Sequence, residues 1–196
     1  MFAFGDAGFF GSTVRPHLNA PMVAVVSTPS GDGYWLVGAR GAVVARGEAR
    51  HHGSPAHIAL RAPIVDAAPT LTGRGYWLVG ADGGVFAHGD ATFLGSAADL
   101  ELNAPVVGIA ATSTGGGYWL VGADGAVFAY GDATFAGSAA HLDLNGPILA
   151  ATPTSTDEGY WLVGADGAVL AFGGAAFLGS VAHLALDAPI VGIVPG

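Results

Sequence analysis

The hexapeptide Gly-Tyr-Trp-Leu-Val-Gly occurs four times, beginning at Gly33, Gly75, Gly117 and Gly159, at a constant spacing of 42 residues. Self-similarity at roughly 20–50 residues marks a propeller, a solenoid or another array of supersecondary units, each unable to bury its apolar face alone. On this period the 196-residue chain falls into columns almost without gaps, and residues 63–104 and 105–146 agree at 30 of 42 positions. The unbroken period reads as one domain of four complete repeats (21–62, 63–104, 105–146, 147–188) between partial ones at 1–20 and 189–196. Where every repeat has the same residue, architecture is the first explanation. Chemistry has to be sought where the repeats disagree.

One repeat, 105–146, shows the local logic. Val106 to Ile109 is a short β-branched run opened by Pro105, which suits the first residue of a strand. Tyr118 to Val121 and Ala126 to Tyr130 are rich in strand formers, and Asp124-Gly125 between them supplies the positive φ of a tight hairpin. A fourth, shorter strand is expected around Thr134-Phe135, and Ala139 to Leu144 is the one stretch suited to a helical turn. Four short antiparallel strands, named A to D here, make one propeller blade. Trp119-Leu120-Val121 shows no polar alternation, as expected of a sheet buried on both faces. With 33 glycines and 11% charged residues the chain suits short strands and tight turns, and its 52% apolar content is ample for a core. The fold class predicted is therefore all-β, a five-bladed propeller of 42-residue, four-stranded blades. A β-solenoid and a shallow barrel with hairpin petals are the alternatives.

The count of five comes from the ends. Phe2 to Ser12 aligns with strands C and D, and Pro189 to Ile193 aligns with strand A, giving five copies of A, C and D but four of B. Either the ring closes with one blade lacking its strand B, or a second copy covers the open edge. A monomer is the favoured expectation.

The unit GYWLVGADGAVFAYGDATFAGS with LNAPVVGIAAT resembles a repeat of secreted and cell-envelope proteins of actinobacteria. There it stands in tandem arrays, often beside a catalytic domain, and is regarded as propeller-like. The resemblance covers essentially the whole chain. It implies a secreted or cell-surface binding or display module, and it brings no catalytic residues to carry over.

Several function classes are disfavoured by composition. A formal charge of −9 and the lack of any Lys argue against a nucleic-acid partner, which needs clustered basic groups. Apolar runs are broken every few residues by Gly, Asp or Pro, so no membrane insertion is expected. Without Cys there is neither disulfide nor thiolate chemistry, and Met1 leads straight into repeat sequence with no signal peptide. No cofactor motif and no metal-ligand spacing is present. The repeated Tyr-Trp pairs are expected to pack between blades rather than to stack on sugars. Asp82, Asp124 and Asp166, with Asp6, Asp90 and Asp132, are expected to bond local backbone N–H groups rather than calcium.

Symmetry breaks in one repeat. All six basic residues lie within the first 74 positions, and five of them, Arg40, Arg46, Arg50, Arg61 and Arg74, within 40–74. Where other repeats carry Phe followed by an apolar residue, this one has His51-His52. Such groups must be exposed, paired or bound, because burying them unpaired costs several kcal/mol. Two further columns vary in a nearly constant setting: Phe4, Arg46, His88, Tyr130, Phe172 and Arg15, His57, Asp99, His141, His183. Both read as rim positions where packing does not dictate identity.

The ligand-binding candidates are thus Arg46, Arg50, His51, His52, His57, His88, Tyr130, His141 and His183. The function they suggest is non-catalytic recognition of a cell-wall or environmental glycan or of a partner protein. A hydrolase or lyase using Asp or His in a central pocket, and a purely structural repeat, are the competing classes.

Overall fold

The computed structural model describes residues 3, 5, 7–13 and 20–193. The chain divides into two compact units, Met1–Phe93 and Leu94–Gly196. Each unit contains two three-stranded antiparallel sheets, and each sheet is a simple meander.

In the first unit the sheets are β1 (Met22–Ser27), β2 (Gly33–Gly38), β3 (Val43–Gly47) and β4 (Ile64–Pro69), β5 (Gly75–Gly80), β6 (Val85–Gly89). The second unit has β7 (Val106–Ala111), β8 (Gly117–Gly122), β9 (Val127–Gly131) and β10 (Ile148–Pro153), β11 (Gly159–Gly164), β12 (Val169–Gly173). The hexapeptide is always the central strand. All six of its residues are buried in β2, β5 and β8, because a middle strand has both edges paired and both faces covered.

Local chemistry explains the meander. At the B–C hairpin, Gly125 adopts φ +81°, which an L side chain resists, and the Asp124 carboxylate accepts the Ala126 N–H at 3.0 Å. Asp82 and Asp166 make the same bond to Gly84 and Ala168. At the A–B turn, a buried Thr hydroxyl donates to the carbonyl of the Gly that opens strand B, as Thr112 does to Gly117 at 3.2 Å. The same hydroxyl proton is shared with the Asp132 carboxylate at 3.0 Å, and Thr114 donates to its other oxygen at 2.5 Å. Asp90 is held identically by Thr70 and Thr72. Those two carboxylates thus bond side-chain hydroxyls of the facing turn, to which Asp90 adds the expected local backbone N–H. Asp6 lies outside the described residues.

The expected fourth strand is not there. Residues 134–137, and their counterparts 50–53, 92–95 and 176–179, run as extended straps with no ladder partner. The chain saves no backbone bonds by this, because side chains take the place of a strand. Trp119 donates its indole N–H to the Thr134 carbonyl of its own repeat at 2.9 Å. Tyr160 of the next repeat then donates its hydroxyl to the Gly137 carbonyl at 2.5 Å and accepts the Ala136 N–H at 3.2 Å. In the first unit Trp35 binds the Arg50 carbonyl, while Tyr76 clamps His52 and Gly53. Tyr34 holds Phe10 and Gly11 in the same way.

The segment aligned with strand C at the start lies largely outside the described residues, and strand A at the end is not formed among the described ones. Ile190 still donates its N–H to Ala165, as Ile64 does to Ala39, so the chain reaches the position where strand A begins. With no fifth hexapeptide there is no strand B to continue the ladder. Ala139 to Leu144 forms a bend and turn rather than a helical turn, and among the described residues a 3₁₀ turn forms at the equivalent place of the first complete repeat, Pro55–His57.

Each unit has its own core. Trp35, Val37, Ile64, Tyr76 and Leu78 cluster in the first, and Trp119, Val121, Ile148, Tyr160 and Leu162 in the second. The aromatic pairs join successive sheets within each unit, with Trp35–Tyr76 centroids 5.4 Å apart and Trp119–Tyr160 5.8 Å apart. The structural reading of the repeated Tyr and Trp thus holds in both units. No helix among the described residues is long and apolar enough to cross a membrane.

Candidate functional site

The symmetry-breaking residues of the first unit converge on Tyr76. Strand β5 presents this ring in the sheet, and strand β6 places His88 directly opposite it in register. The first strap brings His52 to its other side. The His52 and His88 imidazoles lie 5.9 and 5.8 Å from the Tyr76 centroid, and Trp35 closes the group 6.4 Å from His52. The phenol is therefore flanked by two imidazoles.

Neither imidazole is fully satisfied. The Nε2 atoms of both His52 and His88 are buried without a hydrogen-bond partner. Burial lowers the His88 pKa below the usual imidazole value, and the nearby His51 and His57 add positive charge that lowers it further. Burial likewise raises the Tyr76 hydroxyl, with the His52 backbone N–H pulling the other way. His88 is thus held as a neutral ring in a packed slot. His51 and His57 are exposed beside it.

The column Arg46, His88, Tyr130, Phe172 is not the freely variable rim expected from its composition. All four are half-buried on strand C, opposite Tyr34, Tyr76, Tyr118 and Tyr160. Each lies over the strap glycine of the preceding repeat. A Cβ on Gly53 would sit 2.8 Å from His88 Nδ1, and one on Gly95 2.3 Å from Tyr130 Cδ1. Arg46 fills the slot over Gly11 and donates to the Ser12 and Ala45 carbonyls at 2.9 and 3.0 Å. Guanidinium, imidazole, phenol and phenyl share only flatness, and flatness is what the slot requires. Arg46, His88 and Tyr130 thus each have a packing place over a strap. Phe4 and Arg15 fall outside the described residues.

Of the other candidates, Arg50 is exposed and its backbone carbonyl serves Trp35. His141 and His183 are exposed in the second unit. The structure therefore brings together His51, His52, His57 and His88. Among the described residues no group of three or more His, Asp or Glu is arranged to hold a metal ion. Away from this group, the Asp90 carboxyl is held below its usual value mainly by the hydrogen bond from Thr72, which is a structural cause.

One set of residues escaped the sequence reading. The strap phenylalanine is exposed wherever it occurs: Phe9 56%, Phe93 58%, Phe135 56% and Phe177 62%. In the sequence they read only as apolar outer positions that His51-His52 interrupts, and each of the phenylalanines is more than half exposed. His51 holds the corresponding place in the first complete repeat. The signal available was the position itself: the residue after it is half-buried in the first three complete repeats, so period 2 turns the Phe outward.

Comparison with known proteins supports the fold alone. No family model matches the chain, and no curated protein matches it. Among solved structures it is similar to the β-propeller domain of Cps50 (Swd1) from Myceliophteria thermophila, with a TM-score of 0.50 and 10% identity. That match covers 74% of this chain and 49% of the other, so the chain spans about half the length of the domain it resembles. The protein is an all-β chain of propeller-like, three-stranded sheets.

Proposed function

We propose that the chain is a non-catalytic binding or scaffold module whose ligand is a cell-wall or environmental glycan, with a partner protein as the second reading. The observation that carries this is the exposed strap aromatic, Phe9, Phe93, Phe135 or Phe177, with His51 in the remaining place. The repeated Tyr and Trp groups have structural partners: the Tyr hydroxyls and Trp indoles hold straps, and the Asp and Thr groups hold turns. The phenyl rings recur with more than half of each residue exposed, and an exposed flat apolar face packs well against the C–H edge of a sugar ring. Arg50, His51 and His57 add a hydrogen-bonding and cationic patch in the first unit.

The resemblance of the repeat to secreted and cell-envelope actinobacterial arrays favours a location outside the cell. Five copies of the A, C and D segments favour a five-membered propeller with one incomplete blade. The test is binding to a glycan array and to insoluble cell-wall polymer by wild type and by Phe93→Ser/Phe135→Ser/Phe177→Ser. These rings are exposed, so the triple variant is expected to fold as wild type does while losing at least tenfold in binding. Equal binding by both proteins would remove the aromatic reading, and no glycan bound by wild type would refute the glycan reading. A parallel Arg50→Ala/His51→Ala/His57→Ala variant reports on the cationic patch.

A further inference from the structure

The two units differ in charge far more than in fold. Residues 1–93 carry six Arg and six acidic residues, whereas 94–196 carry nine acidic residues and no Lys or Arg. The contrast is concentrated at one recurring groove, between the B–C hairpin turn and the loop entering the next repeat. In the first unit this groove encloses about 530 Å³ and is lined by Pro21, Arg40, Ile58, Leu60, Arg61 and Pro63. Its counterpart in the second unit, about 480 Å³, has Pro147, Leu184, Leu186 and Pro189 at the matching places, with Asp166 where the first has Arg40. The frame is the same in both. Ala39 and Ala165 donate their N–H groups to Pro21 and Pro147, and accept from Ile64 and Ile190. Asp187 takes the place of Arg61 in the sequence column. The intervening repeats have Asp82 with Asn103 and Asp124 with Asn145. Only the first groove carries guanidinium groups on an apolar floor.

Arg40 and Arg61 are exposed, and neither makes an ion pair or side-chain hydrogen bond among the described residues. A ligand for this groove needs an apolar knob between two carboxylates. The second unit displays one. In the loop Asp99-Leu100-Glu101, a turn closed by the Leu100 N–H to the Ala97 carbonyl at 3.0 Å leaves Leu100 52% exposed, with both acids exposed beside it. The same loop in the other repeats has at most one acid: His57-Ile58-Ala59, His141-Leu142-Asp143 and His183-Leu184-Ala185. The one repeat with two acids on the knob is complementary to the one groove with two arginines.

We propose that the Arg40/Arg61 groove docks the Asp99–Glu101 turn of a second copy of this chain. Leu100 enters the groove against Ile58 and Leu60, and the flanking carboxylates meet Arg40 and Arg61, whose guanidinium forks suit carboxylate oxygens. Donor and acceptor are different surfaces, so the contact is head-to-tail and propagates unless it closes on itself. It does not depend on the glycan reading, because it uses neither the strap aromatics nor the His patch.

Sedimentation or light scattering over a concentration series at low and high salt tests this. Wild type is expected to gain mass with concentration at low salt. The association should weaken by about tenfold or more at molar salt, where the Debye length falls to about 3 Å. Arg40→Glu/Arg61→Glu and Asp99→Arg/Glu101→Arg should each be monomeric alone, and an equimolar mixture of the two should associate, because both reversed and original pairs are then complementary. The substituted side chains are exposed, and circular dichroism confirms that each variant is folded. A wild type that stays monomeric at low salt overturns the proposal, as does association that neither reversal weakens. A monomeric wild type that binds a blocked Ala-Asp-Leu-Glu-Leu peptide through Arg40 and Arg61 would also overturn it, assigning the groove to a foreign acidic partner.

Discussion

Deleting one oxygen from the first strap's clamp measures how much of the fold's stability the straps carry. In Tyr76→Phe the ring remains, 1% exposed, so the apolar area it buries is unchanged. What is lost is a hydroxyl that donates to the Gly53 carbonyl at 2.6 Å and accepts the His52 N–H at 3.2 Å. Orphaning a buried polar group costs about 1–3 kcal/mol. The strap is half-buried and the second bond is long, so each loss belongs near the lower end, and the pair amounts to about 2–3 kcal/mol. At about 2–4 °C per kcal/mol for a chain of this size, the melting temperature should fall by about 4–12 °C. Urea unfolding gives the free energy directly, and an unchanged m-value shows that cooperativity was preserved. Tyr130→Phe is the control. Its hydroxyl makes no hydrogen bond among the described residues, so removing it should cost less than about 0.5 kcal/mol. If Tyr76→Phe stays within about 0.5 kcal/mol of wild type, or if the control costs as much, the straps are not held by their tyrosines.

Three other outcomes follow from the same geometry. His88 has a lowered pKa in the fold, so the unfolded chain binds the proton first as pH falls; stability is full above about 6.5 and declines below it toward the folded pKa. His88→Tyr, the residue of the next repeat, should flatten that decline between pH 7 and 5 in urea melts, and an unchanged slope would refute its assignment to His88. Gly95→Ala should destabilise by about 2 kcal/mol or more, since φ is +138° and the new methyl meets Tyr130 at 2.3 Å; Gly95→Ala with Tyr130→Ala should recover the steric part, and no recovery would contradict the slot. Thr72→Val should raise the Asp90 pKa toward the ordinary carboxylate value, because that hydroxyl is the largest cause of its lowering, and a carboxyl titration followed by NMR that does not move would reject the assignment.

The sequence made the meander legible and the strap illegible, for a physical reason. A hairpin is written locally: Asp124-Gly125 between two β-rich runs announces both the turn and the pairing. The strap has the β-prone Thr134-Phe135, but its partners are the Trp119 indole and the Tyr160 hydroxyl, 15 and 23 residues from the atoms they bind. No local pattern encodes that, so a strand was the natural expectation. The His88 column misled in the opposite sense. Variability suggested a surface, whereas a flat slot over glycine accepts any planar group, and planarity is not a property that polarity scales register. At the candidate site, the unusual character of His51 and His52 was visible from the broken column. The division of labour between an exposed His51 and an enclosed His52 needed the strap geometry. The exposed phenylalanines were hidden by their own regularity.

The tyrosine clamp also gives the array a direction. Tyr76 secures the strap of the repeat before it, and Tyr160 does the same in the second unit, while among the described residues no strap is bonded by a tyrosine of the repeat before it. Order is lent upstream, from each repeat to its predecessor. Loss of one repeat should therefore loosen the one preceding it more than the one following, and amide exchange in a deletion series would show that polarity as lost protection on one side only. A lengthened or shortened array of this kind has two unlike termini: one whose strap is gripped by its neighbour, and one whose strap hangs from its own tryptophan.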